Sequence, residues 1–141
     1  MTAVSIMLDI AFHAGRATTV SAADIAERLG LARRGMEPLL QSLSRAGLLD
    51  SVRGPRGGYR LGRPPRDVRL AEIVAVGLDD DEPPAHGPGG KLQSAVVDPL
   101  WGELEAALRA RLQELTLDDL LRRATAAGLR RPAAEPITFA I

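Results

Sequence analysis

The chain has 141 residues, with 18 basic and 18 acidic side chains and no cysteine, a length for one domain or a small domain with an appendage. At 45% hydrophobic and 26% charged it is too apolar for a wholly disordered chain, and with 3% aromatics its core must be built from Ala, Leu, Val and Ile. The missing cysteines exclude a disulfide framework, thiolate nucleophiles and Cys-ligated zinc or iron–sulfur clusters, and no apolar run approaches the roughly 20 residues of a membrane span.

In chain order, the apolar residues Val4, Ile6, Met7, Leu8, Ile10, Ala11 and Phe12 predict a largely buried helix over 4–14. Met1 lies almost at the apolar run, so the start of this helix reads as clipped. Residues 15–20 form a loop. Ser21 has the form of an N-cap, with Asp24 three residues on, and Ile25, Ala26 and Leu29 make the apolar stripe of a short helix that Gly30 ends. Leu31 bridges to a second helix over 33–46, where Met36, Leu39, Leu40 and Leu43 repeat at helical spacing and Gly47 closes the run. Pro38 fits if the regular helix starts near Gly35, because a proline in the first turn removes an amide that has no partner anyway.

Two short extended runs, 48–53 and 59–61, flank Gly54-Pro55-Arg56-Gly57-Gly58 and read as a β-hairpin. Arg63-Pro64-Pro65 breaks the chain, and Leu70, Ile73, Val74 and Val76 mark another short helix. Residues 77–91 read as an acidic Pro/Gly linker. Over 92–115, Val96, Val97, Leu100, Trp101, Leu104, Leu108, Leu112 and Leu115 recur three or four apart, the pattern of a long helix in which Pro99 is a kink or a start. Thr116 with Asp119 three on caps a final helix through Leu120 and Leu121, and the tail after Gly128 has no clear period. No internal repeat is visible. The expected division is a DNA-binding domain over 1–76, a linker over 77–91, a dimerisation helix with its short follower over 92–127, and a tail over 128–141.

The zero net charge hides two opposed halves. Residues 1–76 hold 11 Arg against seven acids, and residues 77–141 hold seven basic groups against 11 acids. Within 33–69, nine Arg face only Glu37, Asp50 and Asp67. A basic segment in a neutral chain is the electrostatic footprint of a polyanion-binding module.

Helix, turn, helix, then a hairpin with an Arg-rich tip is the order of a winged helix-turn-helix, so the expected fold is mainly α with a small β-hairpin wing and a long C-terminal dimerisation helix. The second helix of such a pair can enter the major groove and present side chains to base edges. Arg33, Arg34, Glu37 and Gln41 are its candidates. The arginines suit guanine or phosphate; Glu37 either accepts from cytosine N4 or orients a neighbouring Arg. The helix capped at Ser21 can rest its N-terminal amides on a phosphate. At the hairpin tip, Arg53 and Arg56 can enter the narrow minor groove while Gly54, Pro55, Gly57 and Gly58 let the backbone come close. This Gly-rich loop lacks the Gly-Lys-Ser/Thr ending of a P-loop and does not open a helix.

Residues Asp24-Ile25-Ala26-Glu27-Arg28-Leu29-Gly30, Leu43-Ser44-Arg45-Ala46-Gly47-Leu48 and, most specifically, the stretch from Ser51 through Arg53-Gly54-Pro55-Arg56-Gly57-Gly58-Tyr59 to Leu61 resemble the Rrf-two family of bacterial winged-helix regulators. The resemblance covers about residues 5–76 well and 92–121 by pattern. It implies a cytoplasmic homodimer on double-stranded DNA, pairing through Val97, Leu100, Trp101, Leu104, Leu108 and Leu112 and acting as a repressor at a pseudo-palindromic operator. Members that hold an iron–sulfur cluster carry three cysteines before the long helix. This chain has none in 79–97, and the position three residues before the tryptophan, a further ligand in one branch, is Asp98. The basic residues usual ahead of the first helix are absent too. The resemblance therefore implies the cysteine-free branch, with no cluster and with a small-molecule or protein effector as the signal.

Other readings compete at several residues. Charged runs are usually solvated surface; only the joint placement of Arg33, Arg34, Arg53 and Arg56 on two such elements argues for DNA. Asp79, Asp80, Asp81 and Glu82 with His86 read as a solvated linker, since adjacent acids beside Pro-Pro lack defined ligand geometry. His13 on an apolar helix reads as core or interface, and Tyr59 as the residue packing the wing onto the helices. Two distant His and no cysteine give little basis for catalysis, and the chain is expected not to be an enzyme. An alternative of another class is a winged-helix protein–protein adaptor whose acidic linker and tail form the docking surface.

Overall fold

The computed structural model describes residues 1–78 and 89–132. The expected linker, with its acidic run and His86, lies almost wholly outside these residues, as does the end of the tail.

The first helix, α1 (Thr2–His13), is the hub. Ala3, Ile6, Met7, Ile10 and Ala11 are buried on it, and the three–four spacing makes one broad apolar face. Against that face pack α2 (Ala22–Leu29), α4 (Leu70–Leu78) and α6 (Leu117–Ala126), together with the strand Gly58–Leu61. Ser21 caps α2 by accepting from the Asp24 N–H at 3.1 Å. Gly30, in the left-handed region at φ 65°, ends it, a conformation that costs glycine little. The Leu31 N–H then reaches back to the Ala26 carbonyl at 2.9 Å, so the turn into α3 (Arg33–Arg45) is short and fixed. Met36, Leu40 and Leu43 bury the inner face of α3.

Pro38 requires a correction. The regular helix begins at Arg33, with Ala32 as N-cap, not near Gly35. Pro38 therefore lies in the second turn and deprives the Arg34 carbonyl of its partner. Arg34, Glu37 and Pro38 are all exposed, so the lost bond falls on the outer face, where solvent can serve the carbonyl.

Strands β1 (Leu49–Val52) and β2 (Gly58–Leu61) pair antiparallel, with Leu49 opposite Leu61 and Val52 opposite Gly58. Both leucines enter the core. The α1–α2 connection lines the other edge of β2: Val20 and Tyr59 exchange backbone hydrogen bonds of 3.0 and 2.8 Å, and the Leu61 N–H donates to the Gly15 carbonyl at 2.8 Å. Tyr59 is partly buried against the core, packing the wing as expected. A 3₁₀ turn at Pro65–Asp67 leads into α4, which extends to Leu78, two residues beyond the expected start of the linker.

The long helix is α5 (Asp98–Glu114), preceded by a π-helical turn at Gln93–Val97. Pro99 is the local cause. It has no N–H to offer and its ring crowds the preceding carbonyls; the Asp98 N–H donates instead to Gln93, five residues back, and the helix widens there. At its far end the chain returns to the winged helix. Leu70 N–H donates to the Leu115 carbonyl and Leu117 N–H to the Val68 carbonyl, both at 2.9 Å, while the Arg69 guanidinium donates to the Gln113 carbonyl at 2.6 Å. Helix α6 then places Leu117 and Leu121 in the same core as α1. Thr116 and Asp119 form a full capping box at its start, and the two hydrogen bonds from Thr116, backbone first, hold the Asp119 carboxyl below its usual range.

One polar contact locks α1 to α2. Asp9 is buried and accepts two hydrogen bonds from Arg28, at 2.9 and 2.8 Å. The paired carboxylate pushes the Arg28 guanidinium further up. His13, half-buried, sits with Nε2 3.6 Å from Asp9, packed into the fold as expected.

Candidate nucleic-acid interface

The expected contact residues fall on two elements. Arg33, Arg34, Glu37 and Gln41 are exposed on α3, in its first half and midpoint. Arg53, Gly54, Pro55 and Arg56 are exposed at the wing tip. Ser21 is half-buried and committed to its cap.

The nine arginines of 33–69 differ in how far they are engaged. Arg60 lies 3.6 Å from Asp50, its cross-strand neighbour. Arg63 pairs with Glu72 at 3.1 Å. Burial pushes the Glu72 carboxyl up, but hydrogen bonds from the Arg69 N–H and the Arg63 guanidinium outweigh it and hold the group below its usual range. Arg69 is tied to the end of α5. Arg33 lies 3.8 Å from Glu37 one turn on, a long exposed contact of little energy, which favours the reading of Glu37 as orienting an arginine. Among the described residues, Arg34, Arg45, Arg53, Arg56 and Arg66 make no ion pair.

Arg45 escaped the sequence reading. With Gln41, Ser44, Ser51 and Tyr59 it lines a groove of about 310 Å³ between α3 and the wing. The available signal was its spacing, four residues after Gln41 on one helix face.

The wing glycines also take on a different role. A Cβ on Gly57 would lie 2.4 Å from the Val52 carbonyl oxygen, and one on Gly58 would lie 2.3 Å from that of Val20. These two are demanded by the protein's own backbone. Gly54 at φ 112° has open space around it and needs only the left-handed conformation.

The residues expected to pair two chains lie along one stretch. Val97, Leu100, Trp101, Leu104 and Leu108 are exposed, Trp101 at 56%. Leu112 differs: it is half-buried and packs against the chain's own core.

A helix-turn-helix beside a hairpin wing, with free arginines on both, is the architecture of winged-helix regulators. The family model described as "Rrf2: Iron-dependent Transcriptional regulator" matches residues 1–123. The chain belongs to the Rrf2 family. It is similar to the HTH-type transcriptional regulator IscR of Vibrio atlanticus (strain LGP32), with 37% identity over 126 residues, 85% of this chain and 70% of that protein. The IscR of Escherichia coli O139:H28 (strain E24377A / ETEC) is 36% identical over 122 residues, 84% of this chain and 75% of that one. Among solved structures, T. potens IscR superposes with a TM-score of 0.72 at 33% identity, covering 93% of this chain and 88% of its own. CymR (YrzC), the global cysteine regulator of B. subtilis, gives 0.66 at 28%, covering 84% and 89%. The protein is thus a DNA-binding transcriptional regulator of winged-helix form.

The Rrf2 description names iron, and the residues here do not fit a thiolate-held cluster. The sequence contains no cysteine, and among the described residues no three of His, Asp or Glu are gathered as a metal site. No helix among them is long and apolar enough to cross a membrane.

Proposed function

We propose that the protein is a sequence-specific repressor that binds a pseudo-palindromic operator in the cytoplasm as a homodimer. The observation that carries this reading is the placement of exposed arginines without ion pairs on both α3 and the wing tip. Helix α3 enters the major groove: Arg34 and Gln41 reach base edges or phosphates, Glu37 steers Arg33, and Arg45 guards the groove toward the wing. The α2 N-terminus, capped at Ser21, abuts a phosphate. Arg53 and Arg56 reach into the adjacent minor groove.

The apolar stripe from Val97 through Trp101 to Leu108 supports pairing through α5, because so large an apolar surface is unusual on a monomer. Leu112 completes that contact from its exposed edge. Residues 1–76 form the DNA-reading unit and 92–127 the pairing unit, with α6 lending Leu117 and Leu121 to the core of the first. Without thiolates for a cluster, the regulatory signal passes to a small-molecule or protein effector.

The test is recovery of DNA from sheared genomic fragments by the purified protein. The expected result is enrichment of fragments sharing one pseudo-palindromic site with half-sites about one helical turn apart. Retention of fragments with no common sequence would overturn the reading.

A further inference from the structure

We propose that Thr19 is a positioning residue for DNA binding: its hydroxyl tethers the wing tip to the start of the helix-turn-helix. This rests on the reading of the wing as a DNA contact.

The base of the wing is well held. The loop before α2 pairs with β2 through Val20 and Tyr59 and through Gly15 and Leu61. The tip is not. From Arg53 to Gly57 the backbone leaves the ladder, and its internal turn is closed by Gly57 N–H donating to the Gly54 carbonyl at 2.8 Å. Among the described residues, one hydrogen bond joins this tip to anything outside the hairpin. Thr19 Oγ1 donates to the Arg56 carbonyl at 2.8 Å. Thr19 precedes Val20 and the cap residue Ser21, so the tether ends two residues from the start of α2.

The consequence follows from how arginines contact DNA. Two arginines on a free two-stranded tip sample many positions, and ordering them on binding costs entropy. A hydrogen bond to the carbonyl of Arg56 itself fixes the backbone that carries one of them, and thereby the distance from the minor-groove contact to α2 and α3. The gain is that of a single net hydrogen bond, about a three- to tenfold effect on affinity. Fold stability changes little, because the tip is exposed and water can take over the Arg56 carbonyl.

The experiment uses the full chain and a DNA duplex selected from a randomised library by the wild-type protein. Affinity is measured for Thr19→Val and Thr19→Ser, each in the wild-type background and in Arg53→Ala/Arg56→Ala. Thr19→Val is expected to weaken binding three- to tenfold in the first background and not in the second, with Thr19→Ser near wild type. Amide exchange of residues 53–57 in the free protein is expected to quicken in Thr19→Val while that of β2 stays the same. Wild-type binding by Thr19→Val, or an equal loss in both backgrounds, would overturn the proposal. So would unchanged tip exchange, should Thr19→Val fold too poorly for the binding assay. If Arg53→Ala/Arg56→Ala binds like wild type, it is the wing reading itself that fails.

Discussion

At the scale of single residues, the wing separates glycines that look alike in the sequence. Gly58 carries a positive φ of 155° and sits against the Val20 backbone, so a methyl group there must push apart the pairing of Val20 with Tyr59. Gly58→Ala is expected to lower stability by about 2–4 kcal/mol in thermal or urea unfolding. Gly54→Ala, strained but in open space, is expected to cost about 1 kcal/mol. Equal effects would contradict the steric account. Asp119 gives a pH prediction with a definite sign. Its folded-state pKa is depressed, so its contribution is present above the ordinary carboxylate value near pH ~4 and is lost as pH falls through the lower folded value. Asp119→Asn is expected to flatten this acid-side decline and leave the neutral-to-alkaline limb unchanged, as read by urea midpoints across pH. Thr116→Ala removes the same box and is expected to cost about 1 kcal/mol at neutral pH.

At the scale of elements, Pro38 and Pro99 show two outcomes of one chemistry. Pro38 interrupts α3 on its exposed face, and the helix continues unchanged. Pro99 coincides with a π-helical turn. Pro38→Ala is expected to restore the bond to the Arg34 carbonyl and raise stability by about 1–3 kcal/mol; a lowered melting temperature would contradict this. Most elements were legible because their signals are local. Ser21 and Gly30 bracket α2, Gly47 follows α3, the Gly/Pro turn sets the hairpin, and Thr116 with Asp119 starts α6. What escaped is non-local. No pattern in the sequence announces that Arg28 will hold Asp9 nineteen residues earlier, or that Val68 and Leu70 will pair with Leu117 and Leu115. Pro38 was misplaced for the same reason. The packing of Met36 and Leu40 against the core supports a helical start at Arg33 that propensity alone argues against. At the site, the arginines were visible as a charge cluster. Which of them are engaged by Glu37, Asp50, Glu72 or the end of α5 depends on contacts across the fold, and Arg45 becomes a groove residue only once the wing is placed beside α3.

At the scale of the molecule, the neutral net charge resolves into function. Within the basic segment, Arg60, Arg63 and Arg69 serve the fold, while Arg34, Arg53 and Arg56 face outward with no acidic partner among the described residues. The exposed stripe on α5 makes a second whole-molecule prediction. Trp101→Glu with Leu104→Glu is expected to convert a dimer to a monomer in sedimentation and to reduce operator affinity by orders of magnitude, since each half-site would then be bound alone; an unchanged sedimentation coefficient would place the pairing surface elsewhere. The central claim is that α3 and the wing together read DNA. The most direct measurement is the salt dependence of operator affinity for Arg53→Ala/Arg56→Ala. The account predicts weaker binding and a salt slope reduced by about 2, one for each lost cationic contact. Affinity and slope both equal to wild type would contradict it.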